Sequence, residues 1–194
     1  MNPVPTNDKA SAKRKKMRLY VTIALTIAVF VLINMVIIFQ LSAESKEESG
    51  DRSTGVTAFF LPIFHPEYDT LSYNDKLAAM EDTHRIVRKM AHFLEYALLG
   101  FLFTSLLLYL NRRIRRARVQ KWATWMVPPL FCLIYAISDE VHQIFSERGP
   151  SVKDVLIDFA GAVVGYLLIH AIVGLVDLAK KRRKGKACKT PATR

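Results

Sequence analysis

Long apolar segments alternate with polar and basic segments along this chain. The first apolar segment, residues 19–41, is unbroken and long enough to cross the roughly 30 Å hydrocarbon core of a bilayer as a helix. Three more follow at residues 90–110, 122–145 and 152–178. Pro128 and Pro129 interrupt the third, so we expect its helix to begin near Pro129. The pattern predicts four transmembrane helices.

The composition favours the same class of protein. The chain is 51% hydrophobic and 23% charged, with a mean hydropathy of +0.16, which is unusual for a soluble domain. Basic residues concentrate before Leu19, in residues 112–121 and from Lys180 onward. Because cytoplasmic segments of membrane proteins carry an excess of Lys and Arg, both termini are predicted to be cytoplasmic. The net charge of +11 then suits anionic lipid head groups, and no nucleic-acid partner is predicted.

The predicted fold class is all-α: a polytopic membrane protein of the plasma membrane with four transmembrane helices. Residues 1–18 and 179–194 are predicted to be basic cytoplasmic tails, the second of them disordered, on either side of a membrane domain at 19–178. In the external connection, residues 56–64 are apolar but too short to span, which predicts an interfacial or re-entrant segment. A helix with Asn74 or Asp75 as its N-cap is then expected to continue into the second span.

Three of the apolar segments carry ionisable residues at one end, within 88–95, 138–143 and 151–158. A charge inside a spanning helix costs on the order of 3 kcal/mol, so such residues indicate a site or a buried network. The predicted topology places all three stretches on the extracytoplasmic side, and helical spacing puts each set on one helix face. Gly161 and Gly165 predict a close approach of the last helix to a neighbour just below this level.

One hypothesis for this end of the molecule is a membrane-embedded enzyme. Histidines and carboxylates that converge at the interface can form a general acid/base pair, or bind a divalent cation that holds a phosphate. The candidate catalytic residues are His92, Glu95, Asp139, Glu140, His142, Asp154 and Asp158. The candidate ligands for a divalent metal are His92, Glu95, Asp139, His142 and Asp158.

Most of the candidates have a specific role in that hypothesis. His142 or Glu140 is the base, and Asp139 orients the histidine. Asp154 and Asp158 hold the metal or position water. A basic set suits an anionic head group, because arginine binds phosphate and carboxylate through two parallel hydrogen bonds: Arg88, Lys89 and Arg148.

A second hypothesis requires no chemistry. Arg88 and Arg148 would neutralise Asp139, Asp154 or Asp158 in a closed network of salt bridges and hydrogen bonds that holds the helices together. The protein would then act by binding a lipid, a lipophilic antibiotic or a partner. Both hypotheses stay open at the level of the sequence, because a structural network and an active site use the same residue types.

These residues also carry a family resemblance. The runs RKMAHFLEYALLG, YAISDEVHQIF and DVLIDFAGAVVG, with Arg148 before the last of them, resemble the signature of the VanZ-like family of bacterial membrane proteins. The resemblance extends over residues 85–175, and FQLSAES at 39–45 is similar to the serine-containing end of the family's first helix.

The resemblance implies a place in the bacterial cell envelope and a link to resistance against teicoplanin, a lipid-bearing glycopeptide. It implies no particular reaction. The expected partners are membrane lipids, together with a lipid-linked wall precursor or a lipoglycopeptide. The oligomeric state and any resistance conferred by this chain are not predicted.

Overall fold

The computed structural model describes residues 7–43, 46–113, 121–144 and 151–187. Those residues form helices and short turns, with no strand in the described ranges, so the all-helical prediction is confirmed. The helices are α1 (Asn7–Ala43), α2 (Lys46–Phe64), α3 (Tyr73–Arg113), α4 (Lys121–Gln143) and α5 (Val152–Ala187), with a single 3-10 turn at Tyr68–Thr70.

Three helices of the described chain are long and apolar enough to cross a membrane: Ala10–Ala43, Tyr73–Arg113 and Val152–Lys184. They contain the first, second and fourth predicted spans. Helix α4 is not among them, because its 23 residues include two prolines and the adjacent carboxylates of Asp139 and Glu140. The fourth span therefore remains a prediction.

Several helix ends differ from those predicted. Helix α4 begins at Lys121 and contains Pro128 and Pro129, although we expected a start near Pro129. Membrane helices tolerate internal proline, because neighbouring helices and polar side chains compensate for the lost backbone hydrogen bond. Helix α5 continues to Ala187, so the disorder predicted from Lys180 onward is wrong for residues 180–187, and the rest of that prediction lies outside the described residues.

The start of α3 lies slightly before the predicted Asn74 or Asp75. Ser72 is the capping residue: its Oγ accepts the backbone N–H of Asp75 at 3.4 Å and donates to the Asp75 carboxylate at 2.6 Å. This reciprocal arrangement of a serine and an acidic residue three positions later satisfies a backbone donor at the helix start. From there α3 runs without a break into the predicted second span.

Helices α3 and α5 run parallel and pack closely. Lys89 pairs with Asp154 near one end and Arg112 with Asp177 near the other, each at 2.8 Å and each joining residues 65 positions apart. Between these ion pairs, Gly100, Gly161 and Gly165 bring the two backbones together. The close approach predicted for Gly161 and Gly165 is therefore present, and the neighbour is α3.

Helices α1 and α4 run antiparallel to that pair. Tyr135 of α4 donates a hydrogen bond to the Met35 carbonyl of α1 at 2.6 Å, and Gln143 donates to Ser42 at 2.6 Å. Buried residues of all four helices meet in one core: Val31, Ile38, Tyr96, Leu99, Cys132, Ala136 and Ala162. The bundle consequently has a polar end, where α1 and α4 finish and α5 starts, and a basic end.

Helix α2 lies against the first turns of α3, outside the four-helix core. Thr57 Oγ1 lies 2.9 Å from Nδ1 of His84, and the Thr57 side chain is buried. The apolar part of α2, Thr54–Phe64, is shorter than a membrane-crossing helix, in agreement with the predicted apolar segment. Its depth relative to a membrane stays a prediction.

Candidate functional site

The polar end of the bundle brings together one side chain from each of three helices. His92 of α3, Asp139 of α4 and Asp158 of α5 each offer one ligand atom, and these atoms all lie within 4.8 Å of one another. We call these three residues the inner cluster. The two carboxylates are almost fully buried, with Asp139 1% and Asp158 2% exposed.

Asp139 lies beside polar side chains of α1 and α4. Ser42 and Gln143 are its neighbours, and the charge of His142 also acts on it. Ser42 and Gln143 are joined by their own hydrogen bond, and neither carboxylate oxygen of Asp139 accepts a well-formed hydrogen bond from the described residues. Burial without such bonds is costly for an ionised group, so this carboxylate is poorly compensated.

Asp158 faces several other acidic residues. The charges of Asp139, Glu140, Asp154 and Glu95 all act on it. The hydroxyl of the fully buried Tyr96 lies in the field of both Asp139 and Asp158. Within the described part of the chain, neither inner-cluster aspartate forms an ion pair with lysine or arginine. The centre of the site is therefore markedly acidic.

The outer members of the predicted set have partners of their own. Lys89 binds Asp154 at 2.8 Å, and both side chains are about one-third exposed. Glu140 accepts the backbone N–H of Ser151 at 2.6 Å, immediately before α5 begins, where a carboxylate also interacts favourably with the helix dipole. Arg88 is half-buried and its charge acts on Glu140.

Two predicted residues lie apart from the inner cluster. His142 stacks on Phe39 of α1, with ring centroids 4.2 Å apart, although its charge still reaches Asp139. Arg148 is outside the described residues. The structure thus brings His92, Asp139 and Asp158 together, keeps Glu95 beside them, and surrounds them with the remaining described candidates.

Residues near the cluster were missing from the predicted set. Ser42 is fully buried and Gln143 is 7% exposed, and together they connect α1 to α4 beside Asp139. Tyr96 is completely buried next to both aspartates. The available signal was polarity at the end of an apolar segment for Ser42 and Gln143, whereas nothing in the spacing separated Tyr96 from an ordinary interfacial tyrosine.

A groove of about 420 Å³ lies between α3 and α5. Apart from Lys89 its walls are apolar: Ile86, Met90, Phe93, Leu94 and Ile157. Phe93 and Ile157 directly adjoin His92 and Asp158 in the chain, and the carbonyl of Phe93 touches Gly161 at the helix contact. The groove therefore lies along the helix–helix contact that also carries His92 and Asp158, and Lys89, which pairs with Asp154, is one of its lining residues.

An imidazole and two carboxylates converging from three helices suit two kinds of chemistry. They can bind a divalent cation, or they can transfer protons to and from a ligand. The apolar groove beside them adds a surface for a hydrocarbon chain.

Together, the long apolar helices and the buried ionisable residues at one end define a helical membrane protein with a polar cluster in its bundle. The VanZ/LLP1 family model matches residues 27–174, most of the chain. The chain belongs to this family, and the resemblance seen in the sequence is confirmed. No curated protein and no solved structure gives a match to the chain.

Proposed function

We propose that this protein binds, and acts on, a membrane lipid or a lipid-linked envelope component at the outward-facing polar end of a four-span bundle in the bacterial plasma membrane. The observation that carries the proposal is the convergence of His92, Asp139 and Asp158 in the bundle core. Membrane proteins place buried ionisable groups of this kind in ligand sites or proton pathways, since hydrocarbon offers them no partner.

The four-span topology is supported by the directions of the helices. Because α3 and α5 run parallel, the chain must return between them, and α4 runs back along both. Trp125 near its start lies against His170 of α5, and Glu140 near its end meets Ser151. Apolar side chains of α4 that face outward along its length, such as Leu130, Ile134 and Val141, are about half exposed, as expected for contact with lipid.

The charge distribution supports the orientation. Arg112 and Arg113 end α3 beside the N-terminal half of α1, where Arg113 lies 5.5 Å from the ring centroid of Tyr20. The basic C-terminal part of α5 extends from the same end, next to the Arg112–Asp177 pair. We therefore assign this basic end to the cytoplasm by the excess of Lys and Arg, and under this proposal the inner cluster faces the outer side.

The groove favours a lipid as the ligand. An acyl or polyprenyl chain fits its apolar walls, and Met90 and Leu94 leave it open to the surrounding bilayer. Lys89 at its edge suits a phosphate-bearing head group, which would compete with Asp154 for the ammonium group. The head group would then lie beside the inner cluster. The family's link to teicoplanin resistance, implied by the resemblance, points to a lipid-linked wall component or to the lipoglycopeptide itself.

Bound lipid can be measured directly. The full-length protein is purified in a mild detergent, and the lipids that remain with it are extracted and quantified by mass spectrometry. Ile157→Trp fills the groove, whereas Leu156→Trp places the same side chain at an adjacent position that is 60% exposed and outside the groove. We expect the first variant to lose at least half of the phosphate-bearing lipid and the second to retain it. Equal lipid in all three proteins would contradict the proposal.

The polar cluster is tested in cells. Asp139→Asn is compared with Asp177→Asn, which is the same substitution at the basic end. The host is a strain whose susceptibility to teicoplanin changes measurably when this protein is removed. We expect the first to lose the phenotype and the second to keep it at matched membrane levels. His92→Gln provides an independent test of the same site, and a normal phenotype for both cluster variants would exclude a role of the cluster in it.

A structural role is the second candidate, and two contacts favour it for the outer residues. The Lys89–Asp154 ion pair joins α3 to α5, and Glu140 fixes the start of α5 through Ser151. Both contacts resemble a network that holds helices in place. Within the described residues these contacts do not include an ion pair from lysine or arginine to Asp139 or Asp158, so the case for a structural role rests on the outer residues.

A further inference from the structure

We infer that His92, Asp139 and Asp158 bind a divalent transition-metal ion between α3, α4 and α5. The ligand atoms of these side chains lie within 4.8 Å of one another. Ligands of one zinc-like ion lie about 2.0–2.2 Å from it, and hence about 3.4 Å from each other in a tetrahedral site and at most about 4.4 Å in any geometry. Small rotations of the side chains therefore complete the coordination, without movement of the helices that carry them.

The electrostatics favour a cation at this point. Two almost fully buried carboxylates lie side by side, with Glu95, Glu140 and Asp154 adding negative charge around Asp158. In the residues the structure describes, no lysine or arginine pairs with Asp139 or Asp158. A divalent ion with one neutral imidazole and two carboxylates forms an electrically neutral group, which removes the cost of burying the two charges.

Asp139 supplies an independent observation. It is 1% exposed and points into the cluster, and its two oxygens lack a well-formed hydrogen bond to any described group. Ser42 and Gln143 lie beside it, and Gln143 donates one N–H to Ser42. Buried oxygens of this kind are expected to be satisfied by a partner, and an ion held jointly with His92 and Asp158 is such a partner.

The donor set selects the class of metal. Imidazole suits zinc, iron and nickel, and carboxylate suits manganese and magnesium, so the mixture is typical of zinc(II), manganese(II) or iron(II). Calcium prefers six to eight oxygen ligands, whereas one of the three converging side chains here offers an imidazole nitrogen. Three protein ligands leave at least one coordination position for water or for a ligand oxygen.

The surroundings fit a metal site as well. Metal ligands are commonly held in position by hydrogen-bonding neighbours, and the Ser42–Gln143 pair and the Tyr96 hydroxyl lie beside the two aspartates. The open coordination position would accept the phosphate oxygen of a lipid head group, and only this use of the metal rests on the proposed function. Binding of the ion itself does not depend on any lipid.

The experiment uses the full-length protein with an affinity tag that contains no histidine. The protein is purified in detergent, treated with a chelator, and titrated separately with zinc(II) and manganese(II), and the bound metal is measured by elemental mass spectrometry. We expect about one tightly bound equivalent of at least one of these ions, together with a higher midpoint of thermal unfolding. No stoichiometric binding of either ion, and no thermal shift, would overturn the inference.

Matched variants locate the ion. Asp139→Asn, Asp158→Asn and His92→Gln are expected to weaken metal binding about tenfold or more. Asp177→Asn and His170→Gln carry the same substitutions far from the cluster and are expected to bind like the wild type. Wild-type affinity in all three cluster variants would contradict the assignment.

Cobalt(II) substitution of the wild-type protein tests the inference even if a cluster variant does not fold. Cobalt(II) added to the chelated wild type should give visible absorption typical of nitrogen and oxygen ligands, and zinc(II) should displace it. A spectrum identical to that of the aqueous ion would also overturn the inference. Lipid content measured on the same samples separates the two proposals, because metal can bind when lipid does not.

Discussion

Gly165 of α5 lies directly against the backbone of Ala97 in α3. A Cβ atom at Gly165 would overlap the Ala97 carbonyl oxygen, and one at Gly161 would overlap the carbonyl of Phe93. The two helices can approach this closely only because both positions lack a side chain. The approach sets the distance between His92 and Asp158, which are carried by the same two helices.

Replacement of Gly165 by Ala should therefore be destabilising. The added methyl group forces α3 and α5 apart, at a cost of about 1–3 kcal/mol, and the midpoint of thermal unfolding in detergent should fall. Gly174→Ala is the matched control, since a Cβ atom there meets nothing within 4 Å. Equal midpoints for the two variants would show that this contact does not limit stability.

Ser42 and Gln143 should be energetically coupled. Ser42→Ala and Gln143→Leu each remove one partner of the buried hydrogen bond between α1 and α4, so each should lower the free energy of unfolding by about 1–3 kcal/mol. The double variant should lose less than the sum, with a coupling energy on the order of 0.6–1.7 kcal/mol. A double-mutant cycle from denaturant unfolding in detergent measures this, and strict additivity would mean that the bond contributes nothing.

Single cysteines should report the topology. In a variant without Cys132 and Cys188, a membrane-impermeant maleimide applied to intact cells should label cysteine at Tyr73 or Lys153. Cysteine at Arg113 or Lys184 should react only after the cells are opened. Labelling of positions 113 and 153 from the same side would show that α4 does not cross the membrane.

The Lys89–Asp154 ion pair should remain stabilising when the two residues are exchanged for each other. Lys89→Asp alone places two carboxylates together and should destabilise the protein, whereas Lys89→Asp with Asp154→Lys restores opposite charges. Because both side chains are about one-third exposed, the difference should be about 0.2–1 kcal/mol and should shrink at high salt. Unfolding in detergent at two salt concentrations checks this expectation, which fails if the exchanged pair is no more stable than the single variant.

The sequence predicted which end of the bundle is polar, but not which polar residues meet. Lys and Arg content fixes a helix end relative to the membrane, and helical spacing assigns a residue to a face. Distances between side chains of different helices depend on how closely the helices pack. At Gly161 the α5 backbone contacts the α3 backbone, and Asp158 of α5 therefore lies close to His92 of α3. The same packing put Asp154 against Lys89, so two predicted site residues are partners of each other.

Helix boundaries were predicted less well where local rules compete with the membrane environment. Pro129 was expected to start a helix, as it does at many soluble helix starts, yet the chain is helical from Lys121. Ser72 caps α3 although Asn74 and Asp75 are equally good capping residue types, and only the geometry at Asp75 distinguishes them. The ring of His142 stacks on Phe39 of α1, a contact that the spacing along the chain does not predict, and its place in the site stays a prediction.

The two ion pairs that join α3 to α5 have a consequence for the choice of membrane. Lys89–Asp154 and Arg112–Asp177 are separated by about 23 residues along each helix, or ~35 Å at about 1.5 Å per residue. Charged pairs are most stable near the head groups, so this spacing matches a hydrocarbon layer of about 30 Å with little tilt. In a thinner bilayer the parallel pair would have to tilt together, which would change the depth of the polar end.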